Sequence, residues 1–92
     1  MNEIIELAGE LSYATVNRKR EAFLQEVDEN AHKTLRVSLK RVEKADSAGL
    51  ALMAEGMRHA KKNGKSIAYI EIPDQLARLA KFCRVDFMLE TK

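Results

Sequence analysis

The strongest constraint on this fold is a repeated change in the spacing of apolar residues. From Thr34 to Leu39 they alternate, with Leu35, Val37 and Leu39 on one side and Arg36, Ser38 and Lys40 on the other, as in a half-buried strand. After a polar connection from Lys40 to Ala45, Leu50, Met53, Ala54 and Met57 recur at i, i+3, i+4 and i+7, which is helical spacing. Asp46 stands where an N-cap belongs, and the helix is expected to reach about Asn63. Lys61 and Lys62 favour the negative end of its dipole, and Gly64 supplies a left-handed stop. Ile67, Ala68, Tyr69, Ile70 and Ile72 then form a strand whose near-continuous apolar character suits a central position covered on both sides, ended by Pro73. Strand–helix–strand crossovers of this length favour parallel strands, so the class is α/β.

The two ends of the chain repeat the alternation. Ile4, Ile5, Leu7 and Ala8, closed by Gly9, read as a strand from about Glu3 to Ala8. Val16, Phe23, Val27 and Ala31 share one helical face with Leu24 at its margin, and Ser12 or Thr15 is available as N-cap. Leu76, Leu79, Ala80 and Cys83 define a third helix, with Asp74 near its positive end and Lys81 and Arg84 near the other. With 92 residues and no repeat or linker, residues 1–92 are expected to form one domain.

Composition narrows the function. Sixteen Lys and Arg against fourteen Asp and Glu leave +2, too balanced for a surface that holds nucleic acid by neutralising phosphates. The longest apolar run, Ala48 to Ala54, is far short of the ~20 residues a membrane-crossing helix needs. Glu3, Glu6 and Glu10 near the N-terminus are unlike a signal peptide, so a cytoplasmic location is expected. His32 and His59 lack metal-ligand spacing, the glycines at 9, 49, 56 and 64 are too scattered for a phosphate loop, and no serine sits in a nucleophile elbow. No catalytic residue, metal or cofactor is therefore expected. Cys83 has no second cysteine to pair with, and between Phe82 and Val85 it reads as a small buried hydrophobe.

Two positions break the pattern around them. Arg20 falls about 40° around the first helix from Val16, between Phe23 and Leu24, so its charge lies within the apolar stripe. Its stem either snorkels to the edge or meets a partner. Gly56 lies mid-helix, on the side opposite Leu50, Met53 and Met57, at a cost of about 1 kcal/mol relative to alanine. Leu52 and His59 share that outward side, with Ser47 and Ala48 toward its N-terminal end. Together they form either a small docking strip or a lone exposed leucine beside a tolerated glycine.

Ala45-Asp46-Ser47-Ala48-Gly49-Leu50-Ala51-Leu52, entering a helix after a strand and a polar loop, resembles the signature of STAS domains. Gly9-Glu10-Leu11 followed by Thr15 is similar to the family's strand-end Gly-x-Leu-Asp motif, with Ser12 in place of the aspartate. Lys61-Lys62-Asn63-Gly64-Lys65 and the Pro73, Gln75, Leu76, Leu79, Ala80 pattern ending in Val85-Asp86 agree in order and spacing. The resemblance implies a small, mainly parallel or mixed sheet of about four strands with three main helices. Family members commonly carry an additional strand before the Gly-x-Leu motif, whereas eight residues precede Gly9 here.

The resemblance also implies function, along two branches. The MlaB-like one is the main expectation, on the run from Asp46 to Leu52, the lysine-rich turn at Lys61 to Lys65 and the helix from Gln75 to Lys81, and the other is its alternative. In MlaB-like members, a non-catalytic STAS subunit binds and stabilises or regulates the ATPase, MlaF-like, of an ABC phospholipid transporter that maintains outer-membrane lipid asymmetry. Such a complex includes permease and lipid-binding subunits and holds the domain peripherally at the inner membrane. In anti-sigma-factor antagonists, the serine after the motif aspartate is phosphorylated by a partner kinase, which switches binding off. Ser47 occupies that position as contact, switch or simple helix cap. Asp46, Ala48, Leu52, Gly56 and Arg20 are the accompanying partner-binding candidates.

Overall fold

The computed structural model describes residues 4–89, in the order β1 (Ile4–Leu11), α1 (Val16–Glu29), β2 (Thr34–Ala45), α2 (Ser47–Lys62), β3 (Ser66–Ile70), α3 (Asp74–Phe82) and a 3-10 turn, Asp86–Leu89. The strands form one parallel sheet in the order β1-β2-β3. The α/β class and the three helices agree with the sequence. The described residues hold three strands rather than about four, and β2, not β3, is central. Burial of β3 comes from layers packed on its faces rather than from strands on both sides, which an apolar run cannot distinguish.

β2 is twice as long as its alternation predicted. Lys40 to Ala45 is not a loop but a continuation of the strand. Thr34–Ser38 pairs with β3, and the distal half pairs with β1 alone, through Ala8↔Arg41, Gly9↔Val42, Glu10↔Lys44 and Leu11↔Ala45. Register shifts between Glu6 and Ala8 and between Gly9 and Glu10 break the alternation there. Val42 is the buried residue in this half, while its charged neighbours reach solvent.

Leu35, Val37 and Leu39 are fully buried and meet Phe23 and Val27 of α1 and Met53 of α2 in one core. Ala31 lies past the end of α1 and is exposed, so it leaves the face assigned to it. α2 also departs from expectation. Its buried residues are Gly49, Leu50, Leu52, Met53, Gly56 and Ala60, so Leu50 and Met53 of the expected stripe face the core, Ala54 and Met57 pack partly against it, and the buried face extends further round to Leu52 and the two glycines. Leu52 is 2 % exposed, and a methyl at Gly56 would stand 2.6 Å from Phe23 Cε2. The two glycines let α2 lie close against β1 and α1, so the outward strip expected at Leu52 and Gly56 is part of the core. The buried face is wider than the expected stripe because α2 is apolar on most of its circumference.

Lys65 fastens the far end of this helical layer. Its ammonium donates to the carbonyls of Val27, Asp28 and Asn30 at 2.6, 2.8 and 2.6 Å, satisfying the C-terminus of α1. Asp28 also accepts from Asn63 Nδ2 at 2.8 Å and lies 2.7 Å from His59 Nε2. Gly64, at φ +73°, turns the chain as predicted. Cys83 is exposed, contrary to the buried reading, because α3 ends at Phe82 and the chain turns through Arg84 at φ +61°. Phe82 and Phe87 are exposed beside it.

Candidate functional site

Parallel strands deliver their following loops to the same end of the sheet, and at a sheet's carboxyl end such loops commonly make the ligand surface. Here the β1–α1 loop, Ser12 to Thr15, and the β2–α2 junction at Asp46 meet in this way. The Asp46 amide donates to Leu11 O at 3.1 Å, continuing the ladder past the last strand pair.

Asp46 organises the junction. Its Oδ1 accepts from the Ala48 amide at 2.8 Å, the N-cap that the sequence predicted, and its Oδ2 accepts from the Tyr13 amide at 3.0 Å. Its carbonyl accepts from the Gly49 and Leu50 amides at 3.0 and 3.3 Å. The Tyr13 amide above all, with those of Ala48 and Gly49 adding to it, holds the Asp46 carboxyl below the usual carboxylate range against an opposing desolvation cost.

The facing loop is tied internally. Thr15 Oγ1 donates to Glu10 O at 2.6 Å and accepts from the Ser12 amide at 3.0 Å. Thr15 is therefore at the N-cap position of α1, but its side chain does not cap that helix. Ser12 Oγ donates to the Glu10 carboxylate and accepts from the Ala14 amide at 3.2 Å. Tyr13 is left at the tip, 84 % exposed.

Ser47 follows Asp46 as the first residue of α2 and is exposed. Among the described residues, nothing hydrogen-bonds its hydroxyl, because Asp46 already performs the capping. Asp46, Ser47 and Ala48 are thus brought together at one corner, with Tyr13 alongside. Leu52 and Gly56 are not part of it, being buried against α1 and β3. Arg20 is also elsewhere: it is exposed rather than set within the apolar stripe, and its guanidinium forks onto both Glu55 oxygens. Glu55 in turn is held below its ordinary range, chiefly by the hydrogen bond from Arg20. Tyr13 was missed from sequence; its signal was an aromatic residue in the turn directly after the Gly-x-Leu motif.

The chemistry available here is recognition. Among the described residues, no three His, Cys, Asp or Glu side chains gather as a metal site, and no helix is long and apolar enough to cross a membrane.

Comparison with known proteins fits this geometry. The profile of the family described as "Mlab, STAS domain" matches residues 2–90. No curated protein sequence matches significantly. Among solved structures, the chain is similar to the anti-sigma factor antagonist SpoIIAA in its unphosphorylated form, at 20 % identity and TM-score 0.72, covering 92 % of this chain and 74 % of that one. A sulfate transporter family protein from Wolinella succinogenes gives 20 % identity and TM-score 0.71, over 95 % and 70 % of the two chains. The Bacillus cell fate determinant SpoIIAA in its phosphorylated form gives 21 % and 0.64, over 89 % and 74 %. These similarities share the fold, and the profile match carries the assignment: the chain belongs to the Mlab STAS-domain family, whose members are non-catalytic regulatory modules.

Proposed function

We propose that residues 1–92 form a single partner-binding STAS domain whose contact is the Asp46-Ser47-Ala48 corner, and that phosphorylation of Ser47 controls it in the manner of an anti-sigma-factor antagonist bound by an anti-sigma kinase. The observation that carries this reading is the exposed Ser47 hydroxyl, unengaged among the described residues at the start of a rigid helix. The likeness to SpoIIAA in both its unphosphorylated and phosphorylated forms supports the same reading.

The corner also sets how a phosphate would act. A helix N-terminus normally welcomes an anion through its free amides. Here Asp46 already takes the Ala48, Gly49 and Leu50 amides, and its carboxylate stands next to Ser47. A phosphate on Ser47 therefore finds few donors within the domain and projects toward the partner. It breaks binding by charge and bulk at the contact, with little change in the fold.

A second reading is an MlaB-like subunit that docks the same corner on an MlaF-like ABC ATPase, alongside permease and lipid-binding subunits, peripheral to the inner membrane. The Mlab profile match over residues 2–90 favours it. Both readings are of a cytoplasmic domain. Arg20 stays outside the contact because Glu55 occupies it.

Affinity capture of the tagged protein from its own cells, with Ser47→Asp and Ser47→Ala in parallel and phosphosite mapping, tests these readings. Co-purification of a kinase, with phosphate on Ser47 and loss of the partner in Ser47→Asp, is the expected result. Recovery of an ABC ATPase with its permease establishes the second reading. A partner retained unchanged by Ser47→Asp overturns the contact.

A further inference from the structure

α3 ends in a fixed turn whose side chains face solvent. The amides of Cys83, Arg84 and Val85 donate to Leu79 O, Lys81 O and Ala80 O at 3.0, 3.1 and 2.9 Å, which satisfies carbonyls at the end of the helix. Met88 is buried and Val85 packs against the core, so the turn is anchored from beneath. Arg84 stands at φ +61°, a conformation that glycine adopts without strain and that a larger residue rarely takes. The turn itself has no need of an arginine, which puts the reason for Arg84 in its side chain.

The side chains displayed here are those of a contact. Phe82 is 86 % exposed and Phe87 65 %, two of the four large apolar side chains that reach solvent among the described residues. Single exposed apolar residues are ordinary, but two phenylalanines on one short turn, with Cys83 exposed between them, make a patch. Arg84 and Asp86 lie between them as well, both exposed, and no side chain forms an ion pair with either among the described residues. Two free charges of opposite sign restrict what can settle on the patch. An acidic partner or an anionic lipid surface suits Arg84 and the neighbouring Lys81 but meets Asp86 with like charge. A second copy of the same turn, related by a two-fold axis, sets Arg84 of one protomer against Asp86 of the other and the reverse, with the phenylalanines covered between them.

We infer that Phe82, Arg84, Asp86 and Phe87 form a self-complementary surface through which two copies of this chain associate. Four phenylalanines, at about 150–250 Å² each when fully buried, bring the apolar contact to roughly 600–1,000 Å², below the ~1,200–2,000 Å² of stable complexes, so the association is weak and concentration-dependent. Cys83 and Val85 also line, with Ser47 and Ala51, a hollow of about 220 Å³, so a copy bound at the turn stands beside the Ser47 corner. The inference goes beyond the partner-binding reading and does not draw on it.

Sedimentation equilibrium of the full chain reads the association directly, in reducing agent so that Cys83 forms no cross-link, at loading concentrations up to about 1 mM. The weight-average mass should climb from 10.4 kDa toward twice that value. The double variant Phe82→Ser, Phe87→Ser, at exposed positions that leave the core intact, should weaken association at least about tenfold. Arg84→Asp and Asp86→Arg should each weaken it about threefold or more by setting like charges across the axis, and aspartate tolerates the left-handed backbone at position 84. An equimolar mixture of these two variants puts opposite charges back at both contacts. It should associate within about twofold of the parent and more tightly than either variant alone. A parent chain that stays at monomer mass up to about 1 mM overturns the inference, and its co-sedimentation with phosphatidylglycerol vesicles would assign the turn to a lipid surface instead. Association that survives loss of the phenylalanines, or a mixture no tighter than its components, overturns it equally. Partner capture with Ser47→Asp is a separate readout, so either reading can fall while the other stands.

Discussion

Gly49→Ala separates close packing from helix propensity, because the two predict opposite signs. In a helix exposed on that side, alanine would gain about 1 kcal/mol over glycine. At position 49 the added methyl overlaps the Leu11 carbonyl oxygen and stands 2.9 Å from Leu11 Cβ and 3.2 Å from Leu11 C. Ordinary carbon contacts need about 3.5–4.0 Å, so α2 and the end of β1 must part by more than half an ångström. Leu11 is fully buried, and its carbonyl accepts the Asp46 amide, so the obstacle is backbone held on both sides rather than a movable side chain. Overpacking of this kind costs about 1–3 kcal/mol, and a backbone obstacle belongs at the upper end. Set against the propensity gain, the net loss is about 2 kcal/mol, or roughly 8–16 °C in Tm for a domain of this size. Urea denaturation followed by far-ultraviolet circular dichroism measures it, with an unchanged m-value showing that the comparison is fair. Ala51→Gly, on the exposed face, calibrates propensity in the same helix and should cost about 1 kcal/mol. A Gly49→Ala protein as stable as the parent, or more so, would refute the close approach of α2 to β1.

Three further outcomes follow from the hydrogen bonds. Lys65→Met removes the donor to three carbonyls at the end of α1 while keeping much of the apolar stem; stability should fall by about 2 kcal/mol, with early amide exchange at Val27 to Asn30. Tyr69 Oη donates to Met53 O at 2.6 Å, and burial pushes its phenol up. A group raised on folding contributes stability below its unfolded pKa that is lost as pH climbs through the folded value. In Tyr13→Phe, where Tyr69 is the one remaining tyrosine, ultraviolet titration should show ionisation only as the domain unfolds in alkali; a reversible ionisation with near-ultraviolet dichroism intact would contradict the burial. Asp46 has the opposite sign: its carboxyl is depressed on folding, so its contribution is present above the ordinary carboxylate range and is lost as pH falls through the folded value. Asp46→Asn should therefore narrow the stability gap to the parent on acidification, measured as urea midpoints from pH 7 down to 3.

The sequence carried the ends of α2 more clearly than its orientation. Asp46 and Gly64 act through local backbone chemistry, an accepted amide and a positive φ, and such effects are written at the residue itself. Which side of α2 meets the core depends on partners distant in sequence. The spacing of large side chains marks Leu50 and Met53, which are buried, and Ala54 and Met57, which pack partly against the core. It does not mark the adjoining glycine side, which is buried as well because Leu11 and Phe23 come too near for a side chain. The distal half of β2 was illegible for a related reason. Between Lys40 and Ala45 its charged residues pair backbone with β1 while their side chains reach solvent, so the strand continues after its hydrophobic signal stops. At the site, Ser47 and Asp46 were readable as a motif, whereas Tyr13 joins them through a hydrogen bond spanning thirty-three positions.

The packing of α2 bears on how the domain could be regulated. The same helix closes the core with one side and, through Asp46, fixes the corner where Ser47 is displayed. Ser47 is consequently held on a rigid element, and little conformational freedom is lost when a partner settles on it. A switch built on such a position gains nothing by unfolding α2, since the helix is anchored along its length by Leu52, Met53 and Ala60, each no more than 2 % exposed. On the proposed reading, charge placed directly in the contact is the lever. Ser47→Asp should then leave the urea midpoint of the free domain within the ~0.5 kcal/mol range of ordinary surface substitutions while abolishing partner capture. A Ser47→Asp protein that instead melts early and loses its partner in proportion would mean that modification acts through α2 itself, and the rigid-corner argument would fail.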